Sequence, residues 1–200
     1  MSLAHLVTFL RIFLIPFFPL IYLWGSYYSI PVNVVPFILF VLLVICQVSD
    51  VLDGLFARIR NQVTDLGKVL DPMADSALSL SIFLCFTKPP VSIPIMLVLV
   101  FLYREFVIST LRILCALKGF ALGARKSGKI KTILQAAVFF LILILMALKN
   151  FGMVSPPLFE KISLYSVSFV AFYTVFSAVD YIWANRRYIK MSLISKGTNS

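Results

Sequence analysis

The stretch Asp50-VLDGLFARIRNQVTDLGKVLDPMA-Asp75 gathers five of the chain's eight acidic residues into an otherwise strongly apolar sequence. Asp50 and Asp53 stand three apart, and Asp71 and Asp75 stand four apart. If both segments are helical, each pair projects from one helix face, and two helices can aim four carboxylates at one point. Carboxylates cannot converge in that number without cations between them. Hard oxygen ligands call for Mg²⁺, Mn²⁺ or Ca²⁺ rather than zinc, and a pair of such ions beside a basic residue suits phosphoryl or pyrophosphoryl chemistry. Gly54 and Ala57 continue the face of the first pair, and Gly67 precedes Asp71 by one turn, so room is left above the carboxylates. Arg58 adds a permanent fork-shaped donor for phosphate oxygens. The alternative, a surface ion network with Arg58, Arg60 and Lys68, gives no reason for four acids at this spacing together with three small residues.

Around this stretch the composition leaves little choice of class. Hydrophobic residues make up 61% and charged residues 13% of the 200, and the mean hydropathy is +1.01. Those values lie outside soluble globular domains and predict an all-α polytopic membrane protein. Set against the roughly 20 residues needed to cross a bilayer, the apolar runs predict six transmembrane helices, centred near Phe17, Phe40, Leu78, Leu99, Leu141 and Phe172. Counting Lys and Arg between the spans places thirteen on one side and three on the other, which predicts that both termini and the aspartate-rich loop are cytoplasmic. Residues 1–190 read as one six-helix catalytic domain and 191–200 as a flexible cytoplasmic tail. The net charge of +10 is accounted for by this orientation, and no basic run interleaved with aromatics points to nucleic acid. Cys46, Cys85 and Cys115 lie in apolar stretches without metal or redox spacing and read as buried side chains. The first apolar stretch contains Arg11 and has no small-residue cleavage site before Trp24, which argues against a cleaved secretory signal.

The segment D50-V-L-D53-G54-L-F-A57-R58, eight further residues, then G67-K-V-L-D71-P-M-A-D75 resembles the signature of the CDP-alcohol phosphotransferase family at every motif position. The resemblance implies two divalent ions, Mg²⁺ or Mn²⁺, with Asp50 and Asp71 bridging them and Asp53 and Asp75 each completing one site. It further implies that Asp75 takes the acceptor's proton as general base. A CDP-linked lipid would rest against Gly54, Ala57, Arg58 and Gly67, with Thr64 near the nucleotide. Family members are commonly dimers, so a homodimer is implied by analogy.

Three further stretches resemble the glycerophosphate-using branch of that family, the bacterial phosphatidylglycerophosphate synthases. In H5-L-V-T8-F-L-R11 an asparagine more usually holds the position of His5. Thr8 and Arg11 keep the pattern and imply a contact with CDP-diacylglycerol. In Y103-R104-E105-F-V-I-S109-T-L-R112 and S127-G128-K129-I-K131-T132-I-L-Q135, Arg104, Arg112, Lys129 and Lys131 form a basic set suited to an acceptor phosphate. Arg104 within a span needs a counter-ion, and Glu105 is set about 100° away around the helix axis. A substrate phosphate is therefore one expected partner. The implied reaction converts CDP-diacylglycerol and glycerol 3-phosphate to phosphatidylglycerophosphate and CMP at the cytoplasmic face of the cell (inner) membrane. The same core motif is compatible with phosphatidylglycerol, inositol phosphate or serine as acceptor. A divalent-cation transporter is a reading from another class, but it requires acids along a path through the membrane, and these cluster at one face.

Overall fold

The computed structural model of the chain describes the backbone of residues 10–25, 27–59, 65–117 and 125–194, and the side chains of residues 10–25, 27–49, 73–115 and 125–189. The regular structure among them is all α-helical: α1 (Phe17–Trp24), α2 (Val35–Ile59), α3 (Asp65–Phe86), α4 (Ile95–Leu117), α5 (Lys126–Asn150) and α6 (Pro156–Ile194). Each of the six predicted span centres falls inside one of these helices. Residues 10–14 form a further helical turn ahead of α1. The helix of α6 runs to Ile194, four residues past the predicted end of the domain, and 195–200 lie outside the described residues.

Proline and glycine set the helix ends. Pro156 opens α6 at a position where its missing N–H is not needed. Pro89, Pro90 and Pro94 stand between α3 and α4. At the end of α5, Gly152 takes φ +75°, its N–H bonds to Lys149 C=O, and Met153 N–H reaches back to Leu148 C=O. That pair of bonds is a Schellman closure.

The chain divides into two compact units. The first comprises residues 1–93 and 139–163. Here α1 packs on α2 and α3, and the interior is aromatic. Phe18 and Tyr22 of α1 meet Phe86 of α3, and Phe83 and Phe86 meet Phe139 of α5 with centroids 4.7 and 6.2 Å apart. Tyr22 satisfies its hydroxyl by donating to Lys88 C=O at 3.0 Å. Leu39, Leu43 and Cys46 of α2 are buried at i, i+4, i+7 spacing. The Asn150 amide donates to Val32 C=O at 2.9 Å, tying the end of α5 to the turn before α2.

The second unit, residues 94–138 and 164–200, has a different interior. Val98, Phe101, Ile108, Val167 and Val170 are buried there, but so are Lys131, Gln135, Thr174, Ser177 and Tyr181. Buried polar groups need partners; Thr174 donates to Val170 C=O at 2.7 Å, and the others are taken up below.

In both units the outward faces are apolar rather than polar. On α2 Val41, Val44, Ile45 and Val48 are exposed, and on α6 Phe169 and Phe172 are 60% and 77% exposed. A soluble helix would place polar residues there. Among the described residues α5 and the Pro156–Ile189 part of α6 are long and apolar enough to cross a membrane, while Leu10–Trp24, Val35–Ser49 and Met73–Phe86 are shorter apolar stretches.

Candidate functional site

The aspartate signature lies on α2 and α3, which are joined by residues 60–64. Asp50, Asp53, Gly54, Ala57 and Arg58 occupy the last turns of α2, and Gly67, Asp71 and Asp75 lie on α3. Both segments are therefore helical, which puts Asp50, Asp53 and Ala57 on one face of α2 and Gly67, Asp71 and Asp75 on one face of α3. Pro72, inside α3, lacks the N–H that the helix would use there. The side chains of 50–72 lie outside the described residues, as do His5, Thr8 and Thr64 altogether.

Asp75 is the one signature carboxylate whose side chain is described. It is 42% exposed, and its Oδ1 accepts a hydrogen bond from Arg11 Nη1 at 3.1 Å. Arg11 is itself only 1% exposed. A buried guanidinium calls for an anion, and here that anion is a carboxylate 64 positions away in sequence. Among the described residues no three metal-ligating side chains come together. The donor chemistry nevertheless fits a hard divalent ion, since Asp75 offers a part-exposed carboxylate on the helix face it shares with Asp71.

The second set of side chains lies on α4, α5 and α6 within the second unit. Arg104 Nη1 donates to both oxygens of Glu105, at 3.0 and 3.1 Å. Lys131 Nζ donates to Glu105 Oε1. All three side chains are largely buried, at 10%, 15% and 7% exposure for Arg104, Glu105 and Lys131. The guanidinium reaches across to the first turn of α5, where a Cβ on Gly128 would stand 3.7 Å from Arg104 Nη2. That turn also presents the positive end of the α5 dipole. The chain itself thus supplies Arg104 with a counter-ion, where a substrate phosphate was one expected partner. The 100° between neighbouring Cβ atoms is bridged because arginine and glutamate side chains are long enough to curl toward each other.

The remaining basic residues are placed apart from this pair. Lys129 is exposed, as its offset of about 200° from Lys131 requires. Arg112 follows Arg104 by eight residues, about 12 Å along α4, and its buried Nε has no hydrogen-bond partner among the described residues. Arg125 pairs with Asp180 of α6 at 3.0 Å, and Ser127 donates to the same carboxylate oxygen at 2.5 Å. An open groove of about 550 Å³ runs beside them, walled by Lys126, Ile130, Tyr173 and Phe176.

Comparison with known proteins decides the family. Residues 1–183 match the CDP-alcohol phosphatidyltransferase family. The chain belongs to that family. A CDP-diacylglycerol--glycerol-3-phosphate 3-phosphatidyltransferase of Bacillus subtilis is 34% identical over 200 residues, covering 96% of this chain and 98% of that protein. One of the same name from Treponema pallidum is 33% identical over 169 residues, 80% of this chain and 77% of that protein. A third, from Rickettsia typhi, is 29% identical over 189 residues, 94% and 98% respectively.

Within this CDP-alcohol phosphatidyltransferase, Ser177 and Tyr181 escaped the sequence reading, and Gln135, the end of the α5 stretch that resembles the glycerophosphate-using branch, had no role assigned to it. Gln135, Ser177 and Tyr181 are at most 3% exposed, and Gln135 Oε1, Ser177 Oγ and Tyr181 Oη have no hydrogen-bond partner among the described residues. A signal for them was present. Ser127, Lys131 and Gln135 recur every four residues on α5, as Tyr173, Ser177 and Tyr181 do on α6. Polar residues at helical spacing in an apolar span mark an inward face.

Proposed function

We propose that this chain is an integral-membrane phosphatidyltransferase that converts CDP-diacylglycerol and glycerol 3-phosphate to phosphatidylglycerophosphate and CMP. The observation that carries the reaction class is the eight-residue aspartate signature standing on two consecutive helices, α2 and α3. The names of the relatives support glycerol 3-phosphate as acceptor, and so does a buried arginine–lysine pair suited to a phosphate. Asp50, Asp53, Asp71 and Asp75 hold two divalent ions, Mg²⁺ or Mn²⁺, which when bound neutralise the donor's diphosphate and ease departure of CMP.

The protein's own residues then do three things. Arg58 grips the donor's phosphate oxygens, and Gly54, Ala57 and Gly67 leave room for the nucleotide, with Thr8 and Thr64 completing the CDP-diacylglycerol contacts. Arg104 and Lys131 hold and orient the acceptor's phosphate, and Arg112 and Lys129 add positive charge that draws it in. Asp75 takes the proton as the acceptor's hydroxyl oxygen attacks the β-phosphorus; the new P–O bond forms as the bond to CMP breaks. Arg11 holds Asp75 in position for this.

The wider arrangement belongs to the same proposal. Six helices cross the cell (inner) membrane with both termini and the active site on the cytoplasmic side. Residues 1–190 form a single catalytic domain followed by a short tail, and the enzyme works as a homodimer.

The test follows CMP release by the purified protein in nanodiscs with Mg²⁺ and CDP-diacylglycerol, supplying glycerol 3-phosphate, serine, inositol phosphate or phosphatidylglycerol separately. Release with glycerol 3-phosphate alone, abolished by EDTA and restored by Mg²⁺ or Mn²⁺, is the expected result. Turnover with a different acceptor would overturn the acceptor assignment and leave the aspartate chemistry standing. No turnover with any acceptor would overturn both.

A further inference from the structure

Glu105 is the feature of the basic cluster that the reaction as written does not use. Its carboxylate occupies two of the donors that a phosphate could use: both oxygens lie on Arg104 Nη1, and Oε1 also takes Lys131 Nζ, while Arg104 Nε has no hydrogen-bond partner among the described residues. One guanidinium nitrogen and an ammonium closing on the same small anion is an arrangement that a phosphate oxygen can also take up. Here the chain supplies the anion itself, in a place only 7–15% exposed.

We infer that Glu105 is an internal stand-in for the acceptor's phosphate, holding Arg104 and Lys131 until a phosphate monoester displaces it, and so determines acceptor specificity. This rests on the reading that those two cations take the acceptor's phosphate. A monoester dianion brings three oxygens and two charges and can replace everything the carboxylate gives up. A neutral polyol or a zwitterion cannot, and would leave two nearly buried cations without their anion. Discrimination then comes from the penalty on the wrong acceptor as well as from contacts to the right one. The stand-in also answers what keeps two cations stable in an apolar surrounding when the pocket holds no acceptor.

The test uses the full-length protein in phosphatidylcholine nanodiscs, which contain no phosphate monoester lipid. Binding of glycerol 3-phosphate and of inorganic phosphate is measured calorimetrically, with glycerol as the neutral control. Glu105→Gln removes the competing charge, and Glu105→Asp keeps the charge but is one methylene too short to span both cations. If the carboxylate holds the pair about nine-tenths of the time, freeing it tightens apparent binding about tenfold. Both variants are expected to bind both phosphates several-fold to tenfold tighter than the wild type, with the KM for glycerol 3-phosphate falling alike. The unfolding midpoint of Glu105→Gln should be lowered without phosphate and recovered by it.

Binding no tighter than wild type in either variant would overturn the inference. So would Glu105→Asp behaving as wild type while Glu105→Gln tightens, because charge alone would then explain the effect. Failure of the underlying reading has a separate signature. In that case the wild type binds neither phosphate, and Lys131→Met leaves the KM for glycerol 3-phosphate unchanged.

Discussion

Arg11 is almost completely buried, yet the carboxylate it serves, Asp75, is 42% exposed. The asymmetry allows the two halves of the pair to be probed separately. Replacing Arg11 by methionine exchanges a buried cation for a buried thioether and leaves behind a carboxylate that water can reach, so the cost to folding is small. The cost to catalysis is large if Arg11 fixes the geometry of the base, since a misplacement of about 1 Å costs on the order of a hundredfold in rate. Arg11→Met is therefore expected to keep its unfolding midpoint within a few degrees of wild type while kcat falls about a hundredfold. A lowered midpoint with unchanged kcat in the folded fraction would make Arg11 purely structural. Asp75→Asn is expected to retain CDP-diacylglycerol binding and to lose turnover; full activity would remove Asp75 from the role of base. At this scale the residue types were legible in the sequence and their partners were not. Arg11 and Asp75 are 64 residues apart, so only the tertiary fold brings them together. Glu105 sits beside Arg104 in the chain, but Cβ directions point them apart, and the pairing depends on side-chain reach.

The helix as a unit explains why neighbouring lysines on α5 have different surroundings. Lys131 belongs to the face carrying Ser127 and Gln135, and Lys129 lies about 200° away from it. Lys131→Met is expected to raise the KM for glycerol 3-phosphate about tenfold with little change for CDP-diacylglycerol, the loss of one charge-assisted hydrogen bond being worth about 1.5–3 kcal/mol. Lys129→Met, at an exposed position, should change it less than twofold. Equal effects at both positions would mean that α5 contributes a diffuse positive field rather than one placed amine. The far end of α5 offers a test of folding alone. Gly152 at φ +75° closes the helix in a conformation that costs an L-residue about 1–2 kcal/mol. A Cβ there would meet nothing within 4 Å, so Gly152→Ala isolates the backbone term. It should lower the unfolding midpoint in detergent while leaving the KM for both substrates unchanged; an unchanged midpoint would show that the turn relaxes without cost. The helices themselves were readable from apolar runs. The polar inner faces of α5 and α6 were not separated from them, because a few hydroxyls and amides barely alter the hydrophobicity of a long span.

For the molecule as a whole, the aspartate signature and the membrane requirement compete for the same turns of helix. A helix needs about 20 residues, or 30 Å, to cross the hydrocarbon core. The helices α2 and α3 are 25 and 22 residues long, about 37 and 33 Å at 1.5 Å per residue, and the signature lies on the last turns of one and the first turns of the other. Twenty residues counted from Val35 reach Gly54, and twenty counted back from Phe86 reach Gly67, so a crossing helix takes its last turns from the aspartate-bearing segments. On the proposed topology this sets Asp50, Asp53 and Asp71 at the boundary between headgroups and acyl chains, within reach of a lipid-borne diphosphate and of a water-soluble acceptor. The same competition explains why charged residues interrupt individual spans of a chain whose composition is that of a membrane protein: α4 carries Arg104, Glu105 and Arg112, and α2 and α3 carry the aspartates. Cysteine labelling in spheroplasts, with Cys46, Cys85 and Cys115 changed to alanine, tests the crossing number directly. Ser29→Cys, Ser92→Cys and Met153→Cys lie in the turns before α2, α4 and α6 and should react with a membrane-impermeant maleimide from outside. Gln62→Cys and Gly119→Cys should react only after permeabilisation. Met153→Cys protected until permeabilisation would mean that the turn after α5 does not face outward, and the six-span count would fall. Gln62→Cys labelled from outside would turn the aspartates away from the cytoplasm, where glycerol 3-phosphate and CDP-diacylglycerol are made, and the proposed reaction would lose its substrates.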